Sequence, residues 1–298
     1  MIDPAVNQHS PSALAVFLLV VLSLMWGTSF ILIKKGLTVL TPETVAVLRI
    51  SAASLLMLPV ALTRLSQLRP KHFLKLLASG MMGILIPAFL FAVAQTRITS
   101  SVAGILNTLT PAFTMVVGVM FFRQRFRWIS AAGLLLALGG SVMLMLARED
   151  GRVEGINMYA LLIVAACVLY GANLNFVKFK IADLHPLTIT SVALMLLGPF
   201  ALIYLFGFTS FLSTLNGNPG AWKATAYVVL LGIMSTAFAT YLFYRLIQIS
   251  TPLLASSVTY FMPVVAVLWG VLDNEVLYSG HFIGMAAILA GVYLANRK

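Results

Sequence analysis

A chain of 298 residues that is 61% hydrophobic and only 9% charged, with a mean hydropathy of +1.02, has the composition of a protein solvated by lipid. It excludes an ordinary water-soluble domain. A single cysteine, Cys167, excludes an internal disulfide, and a lone thiol in an apolar run is an apolar packing residue.

The bilayer core needs about 20 apolar residues per spanning helix, and ten such runs follow one another: 13–35, 43–62, 73–95, 100–121, 128–147, 156–179, 187–208, 224–246, 253–272 and 280–295. Nothing alternates with the two-residue period of a barrel strand, so the chain is predicted to be an all-α membrane protein with ten transmembrane helices. The leading segment Met1 to Ser12 carries no Lys or Arg, and the first run is too long for a signal-peptide core. It is therefore read as helix one after an N-terminal tail of residues 1–12. The polar stretch Ser210 to Trp222 is read as a surface loop.

Charge placement supplies the orientation. With the N-terminus inside, twelve basic residues face the cytoplasm, among them Arg64, Arg69, Lys71, Lys75, Arg123, Arg125 and Arg127, while six face outward together with six of the eight acids. Basic residues favour the cytoplasmic side, so both termini are predicted to be cytoplasmic. The net charge of +11 then reflects topology, and a nucleic-acid partner is rejected.

The chain repeats itself. Trp26-Gly27 with Lys34 and Pro42 returns 144 residues later as Tyr170-Gly171 with Lys178 and Pro186. From helix three the offset is 152. Gly80, Gly83, Pro87 and Phe91 return as Gly232, Ser235, Ala239 and Phe243, and Ser100, Gly104, Asn107, Pro111, Thr114 and Gly118 return as Pro252, Ser256, Thr259, Pro263, Ala266 and Gly270. Gly133 and Gly140 close the first half as Gly284 and Gly291 close the second. The predicted division is two five-helix repeats, 13–147 and 156–298, joined by a linker over 148–155. Five spans per repeat invert the second copy in the membrane, an arrangement found in carriers whose halves rock about a midplane site.

These doubled features, with Arg49 early in helix two, Thr99 and Thr251 opening helices four and nine, and Glu275 before helix ten, resemble the drug/metabolite transporter superfamily, EamA type, and within it the bacterial exporters of amino acids, aromatic ones included. One departure is the segment Phe122-Arg123-Gln124-Arg125, where that family usually carries Gly-Glu. The resemblance implies a bacterial inner-membrane exporter of small molecules. It further implies a central cavity walled by helices one, three, four, six, eight and nine, and alternating access without ATP.

Candidate substrate-facing residues are Trp26 and Tyr170, aromatic rings at mid-depth rather than at the interface, with Asn173, Ser235 and the repeat-related pair Asn107 and Thr259. Pro87, Pro111 and Pro263 are candidate hinges, since a mid-helix proline frees a backbone carbonyl. Each has a packing alternative. Small-residue stripes join helices in lipid, and an interhelical hydrogen bond accounts equally for Asn107 and Thr259. Arg49, the one charge inside a span, reads as snorkelling or as capping carbonyls, with substrate-carboxylate binding as the sharper alternative, set back because the second half has Ala193 there. Lys34 and Lys178 end their helices and are read as solvated.

No metal-ligand spacing, intramembrane carboxylate pair or phosphate-binding glycine loop is present, so neither enzyme chemistry nor a cofactor is expected. With every Asp, Glu and His in a tail, loop or span end, flux down the solute's own gradient is expected. The expected partners are a small-molecule substrate and the lipid bilayer.

Overall fold

The computed structural model describes residues 13–122, 128–146, 158–249 and 258–296. The tail 1–12, the linker 148–155, the Arg123-Arg125 segment and the start of the ninth run at Thr251 and Pro252 lie outside the described residues. Within them the secondary structure is helical throughout: α1 Ala13–Leu37, α2 Pro42–Arg64, α3 Pro70–Ala94, α4 Ser100–Phe122, α5 Trp128–Leu146, α6 Met158–Lys180, α7 Pro186–Phe208, α8 221–249, α9 Val258–Leu272 and α10 Ser279–Asn296. Seven of these are long and apolar enough to cross a membrane, and Phe261–Leu272 and Ser279–Gly291 are shorter apolar stretches.

Lipid solvation shows in the reversed polarity. Leu74, Phe121, Phe200, Ile203 and Leu272 are exposed, whereas Ser23, Ser54, Ser79, Ser101, Asn107, Asn173, Asn175 and Thr236 are buried. Apolar side chains lose nothing by facing hydrocarbon, and polar ones find partners only between helices. Helix starts follow local rules. Thr41 precedes Pro42 and its hydroxyl accepts from the Thr44 N–H, Thr99 does the same for Val102, and His185 caps Leu187 just before Pro186.

The polar stretch after α7 is not simply a loop. Phe211–Gly217 forms a short helix whose first residue, Phe211, is buried. Phe211 and, partly buried, Leu215 dock this helix on the core.

The main pairings are unchanged when each helix is exchanged for the one five places away. α1 packs on α8 and α9 as α6 packs on α3 and α4; α2 meets α8 as α7 meets α3; α2 with α7, α4 with α9 and α5 with α10 map onto themselves. Two glycines show the same exchange in atoms. A Cβ on Gly171 would lie 2.6 Å from the Thr114 backbone N and 2.8 Å from the Phe113 carbonyl carbon, and one on Gly27 would lie 2.8 Å from a Val265 methyl. Phe113 and Val265 are themselves 152 apart. Close approach of α1 to α9, and of α6 to α4, therefore requires glycine at both places.

α3 and α8 also share a defect. Their backbones widen to i→i+5 hydrogen bonding over Met81–Leu85 and Gly232–Phe238, which coincide under the 152-residue offset. Pro87 follows the first, but Ala239 occupies the equivalent place after the second. A proline therefore does not account for both. Such widened turns are rare and frequent at functional sites.

Candidate functional site

Mid-depth aromatics from the two halves meet their neighbours in parallel ways. Trp26 of α1 packs edge-on against Phe243 of α8 with ring centroids 5.0 Å apart, and Tyr170 of α6 stacks with Phe91 of α3 at 6.2 Å. The Trp26 indole N–H donates to the Ser235 carbonyl at 3.1 Å, and the Ser235 hydroxyl donates back to the Met25 carbonyl at 3.0 Å. Trp26 and Ser235 are thus joined at the widened turn of α8. Trp26 and Tyr170 are both half-buried.

The other sequence candidates fall in separate places. Asn173 accepts from Ser79 Oγ at 2.7 Å and donates to the Tyr244 hydroxyl at 3.4 Å, bridging α3, α6 and α8. Asn107 is buried, its Oδ1 accepting from Thr110 at 3.4 Å, with Cys167 of α6 beside it. It sits in a tight 3₁₀ turn, Asn107–Leu109, that breaks α4 just ahead of Pro111. Thr259 is half-buried near the start of α9, and Pro263 lies inside that helix. Pro87 restarts α3 after its widened turn.

Arg49 neither reaches the bundle end nor caps carbonyls among the described residues. Its Nε and Nη2 both donate to Thr236 Oγ1 of α8, at 3.1 and 3.0 Å.

Lys34 is not solvated. At the end of the bundle that holds the α1 C-terminus, its Nζ pairs with Asp273 at 2.7 Å and with Glu275 at 2.9 Å, and Lys35 also pairs with Asp273. Glu275, its side chain 2% exposed, accepts from the Ser100 N–H at 2.9 Å, the Ser101 N–H at 3.0 Å and both serine hydroxyls at 2.6 Å. Two otherwise unpartnered N–H groups of the α4 N-terminus are thereby satisfied. Burial pushes the Glu275 carboxyl up, but hydrogen bonds from Ser100, Ser101 and Lys34 outweigh it and hold it below the ordinary range. Hydrogen bonds from Lys34 and Lys35 likewise hold Asp273 low. The acids lie on the α9–α10 connection, about 240 residues from the lysines in sequence, so local reading of helix one gave no hint of them. At the opposite end a cavity of about 300 Å³ opens between α7 and α8, lined by His185, Pro186, Tyr241, Arg245 and Ile249.

The chain is similar to known transporters. The chain is 27% identical to a transporter of Archaeoglobus fulgidus over 92% of its own length and 95% of the relative's. It is 27% identical to the inner membrane transporter YedA of Escherichia coli strain K12, covering 92% and 88%. A probable terminal-alkyne amino-acid exporter of Streptantibioticus cattleyicolor is 26% identical over 95% and 94%. A crystal structure at 19% identity superposes with a TM-score of 0.63 over 96% of this chain and 97% of that one, which supports the fold. The EamA-like transporter family matches twice, over residues 13–146 and 157–297. A bundle that repeats its helix pairings, its glycine contacts and its widened turns across those two segments is a membrane transporter, and the chain belongs to the EamA-like transporter family.

Proposed function

We propose that this transporter exports small metabolites, amino acids including aromatic or apolar ones, by alternating access through a centre walled by α1, α3, α4, α6, α8 and α9. In this reading the ten helices all span a bacterial inner membrane as two inverted repeats, 13–147 and 156–298, with both termini cytoplasmic. The observation that carries it is the doubled aromatic contact, Trp26 with Phe243 and Tyr170 with Phe91. It gives each half a half-buried ring at mid-depth, a surface suited to an apolar or aromatic side chain. The amino-acid exporter of Streptantibioticus cattleyicolor supports the solute class.

Trp26, Tyr170 and Ser235 are the residues we assign to the solute, with Asn173, Asn107 and Thr259 contributed separately by α6, α4 and α9, and Pro87, Pro111 and Pro263 as hinges. Export of cationic drugs or of sugars is the competing reading, and the Arg49 cation within α2 disfavours the first. The test is flux through purified protein in proteoliposomes, with amino acids, sugars and cationic drugs offered separately. Amino-acid flux above that of protein-free vesicles is expected, and flux confined to drugs or sugars would overturn the reading.

A further inference from the structure

We propose that Arg49 and Thr236 form the subsite for the carboxylate of the transported solute. This rests on the reading of the chain as an amino-acid exporter and names the group of the solute that the protein holds.

A guanidinium in a membrane-spanning helix is costly unless an opposite charge or a full set of hydrogen bonds meets it. Arg49 has neither. Among the described residues no carboxylate lies within 4.0 Å of it, and its hydrogen bonds are the two to the single hydroxyl of Thr236. The N–H groups on Nη1, and the second on Nη2, have no partner among the described residues. The residue is half-buried and keeps part of its surface accessible. A planar fork with free N–H groups pointing the same way recognises a carboxylate.

Packing does not require this pair, and the protein itself supplies the control. Under the repeat, Arg49 corresponds to Ala193 and Thr236 to Ile84. At both places a glycine of α8 or α3 faces the partner helix, against backbone in one half and against side chains, Leu197 at 3.1 Å among them, in the other. A Cβ on Gly232 would press on the Arg49 carbonyl and lie 3.1 Å from Ala52 Cβ, and one on Gly80 would lie 3.4 Å from Ala193 Cβ. A glycine approach to α2 or α7 is thus built in one half beside an arginine and a threonine, and in the other beside an alanine and an isoleucine. The apolar version satisfies the contact, so the charge in the other half has a role that the contact does not explain.

The neighbourhood suits the rest of an amino acid. Thr236 follows Ser235, whose carbonyl holds the Trp26 indole at 3.1 Å, and Trp26 packs on Phe243 at 5.0 Å. Tyr170, stacked on Phe91 at 6.2 Å, is the corresponding ring of the other half. A solute with its carboxylate on Arg49 therefore has for its side chain the Trp26 indole, bonded to the neighbouring Ser235, and Phe243 about two turns further along α8.

The test is ligand-induced stabilisation of the purified transporter in lipid nanodiscs. The probes are alanine, leucine, threonine and phenylalanine, their primary amides, and 3-phenylpropionate, which keeps the carboxylate and lacks the amine. Acids are expected to stabilise at concentrations about tenfold or more below those of their amides, because an amide loses the charge-assisted bonds. R49Q should erase that preference. The double variant R49A/T236I, which copies the packing of the other half, should unfold at the wild-type temperature and show no preference, separating loss of binding from loss of fold. Equal stabilisation by acid and amide in the wild type, or a preference that survives R49Q, overturns the subsite while leaving amino-acid export standing. Stabilisation by 3-phenylpropionate without any by amino acids overturns amino-acid export and leaves the subsite. No stabilisation by any acid overturns both.

Discussion

Replacing Glu275 by Gln keeps the shape of the side chain and removes its charge, at a point where five donors converge on two oxygens. A glutamine amide group would face an N–H or O–H donor with another donor, and Lys34 would keep only Asp273, at 2.7 Å. Removing one partner of a buried ion pair costs about 3–5 kcal/mol. Lys34 is a third exposed and retains its second acid, so solvent screening reduces the expected loss to roughly 2–3 kcal/mol. In thermal unfolding of purified protein this corresponds to a fall of roughly 5–10 °C at pH 7. The pH dependence has a definite sign. Because Glu275 titrates below its ordinary 4.5 in the folded protein, its stabilisation is complete above about pH 4.5 and is lost as pH falls through the lower folded value. Wild type and E275Q should therefore converge in acid. Equal melting at pH 7, or a gap that persists unchanged at low pH, refutes the role given to Glu275.

Single cysteines at Ser66 and Asn216, in a background lacking Cys167, should report opposite faces of the membrane to an impermeant thiol reagent. Labelling of Ser66 rather than Asn216 from outside intact cells contradicts the orientation drawn from the charges. N107L and T259V should each lower flux several-fold with little loss of folded protein, and unchanged flux in both would leave Asn107 and Thr259 to packing alone. Uptake into proteoliposomes at equal pH on both sides, with a protonophore present, should persist; uptake that returns only with an imposed proton gradient defeats a passive mechanism.

The sequence carries the helices and their doubling in plain form, because lipid requires each span to write its own apolar run and the repeat restates it. Thr41-Pro42 and Thr99 announce helix starts through local bonds. What escapes local reading is whatever depends on distant residues. Lys34 looks like a solvated helix end until the α9–α10 connection brings Glu275 and Asp273 to it. Thr236 is one of several hydroxyls in an apolar helix, and its bond to Arg49 joins residues 187 apart in sequence. The widened turns have no common residue signature, since Pro87 follows one and Ala239 the other. The one trace of the Arg49 site available beforehand is a broken symmetry, Arg49 against Ala193 and Thr236 against Ile84.

Cys167 gives the fold a built-in gauge of its own motion. Its sulfur is fully enclosed where α6 lies on α4, 3.6 Å from the Leu106 carbonyl and 3.9 Å from that of Asn107. Alkylation can proceed only when those two helices part. The rate at which the unmodified protein takes up a small maleimide therefore counts how often α4 and α6 separate, and comparing that rate with and without solute tells whether the pair travels as one rigid block or opens during transport.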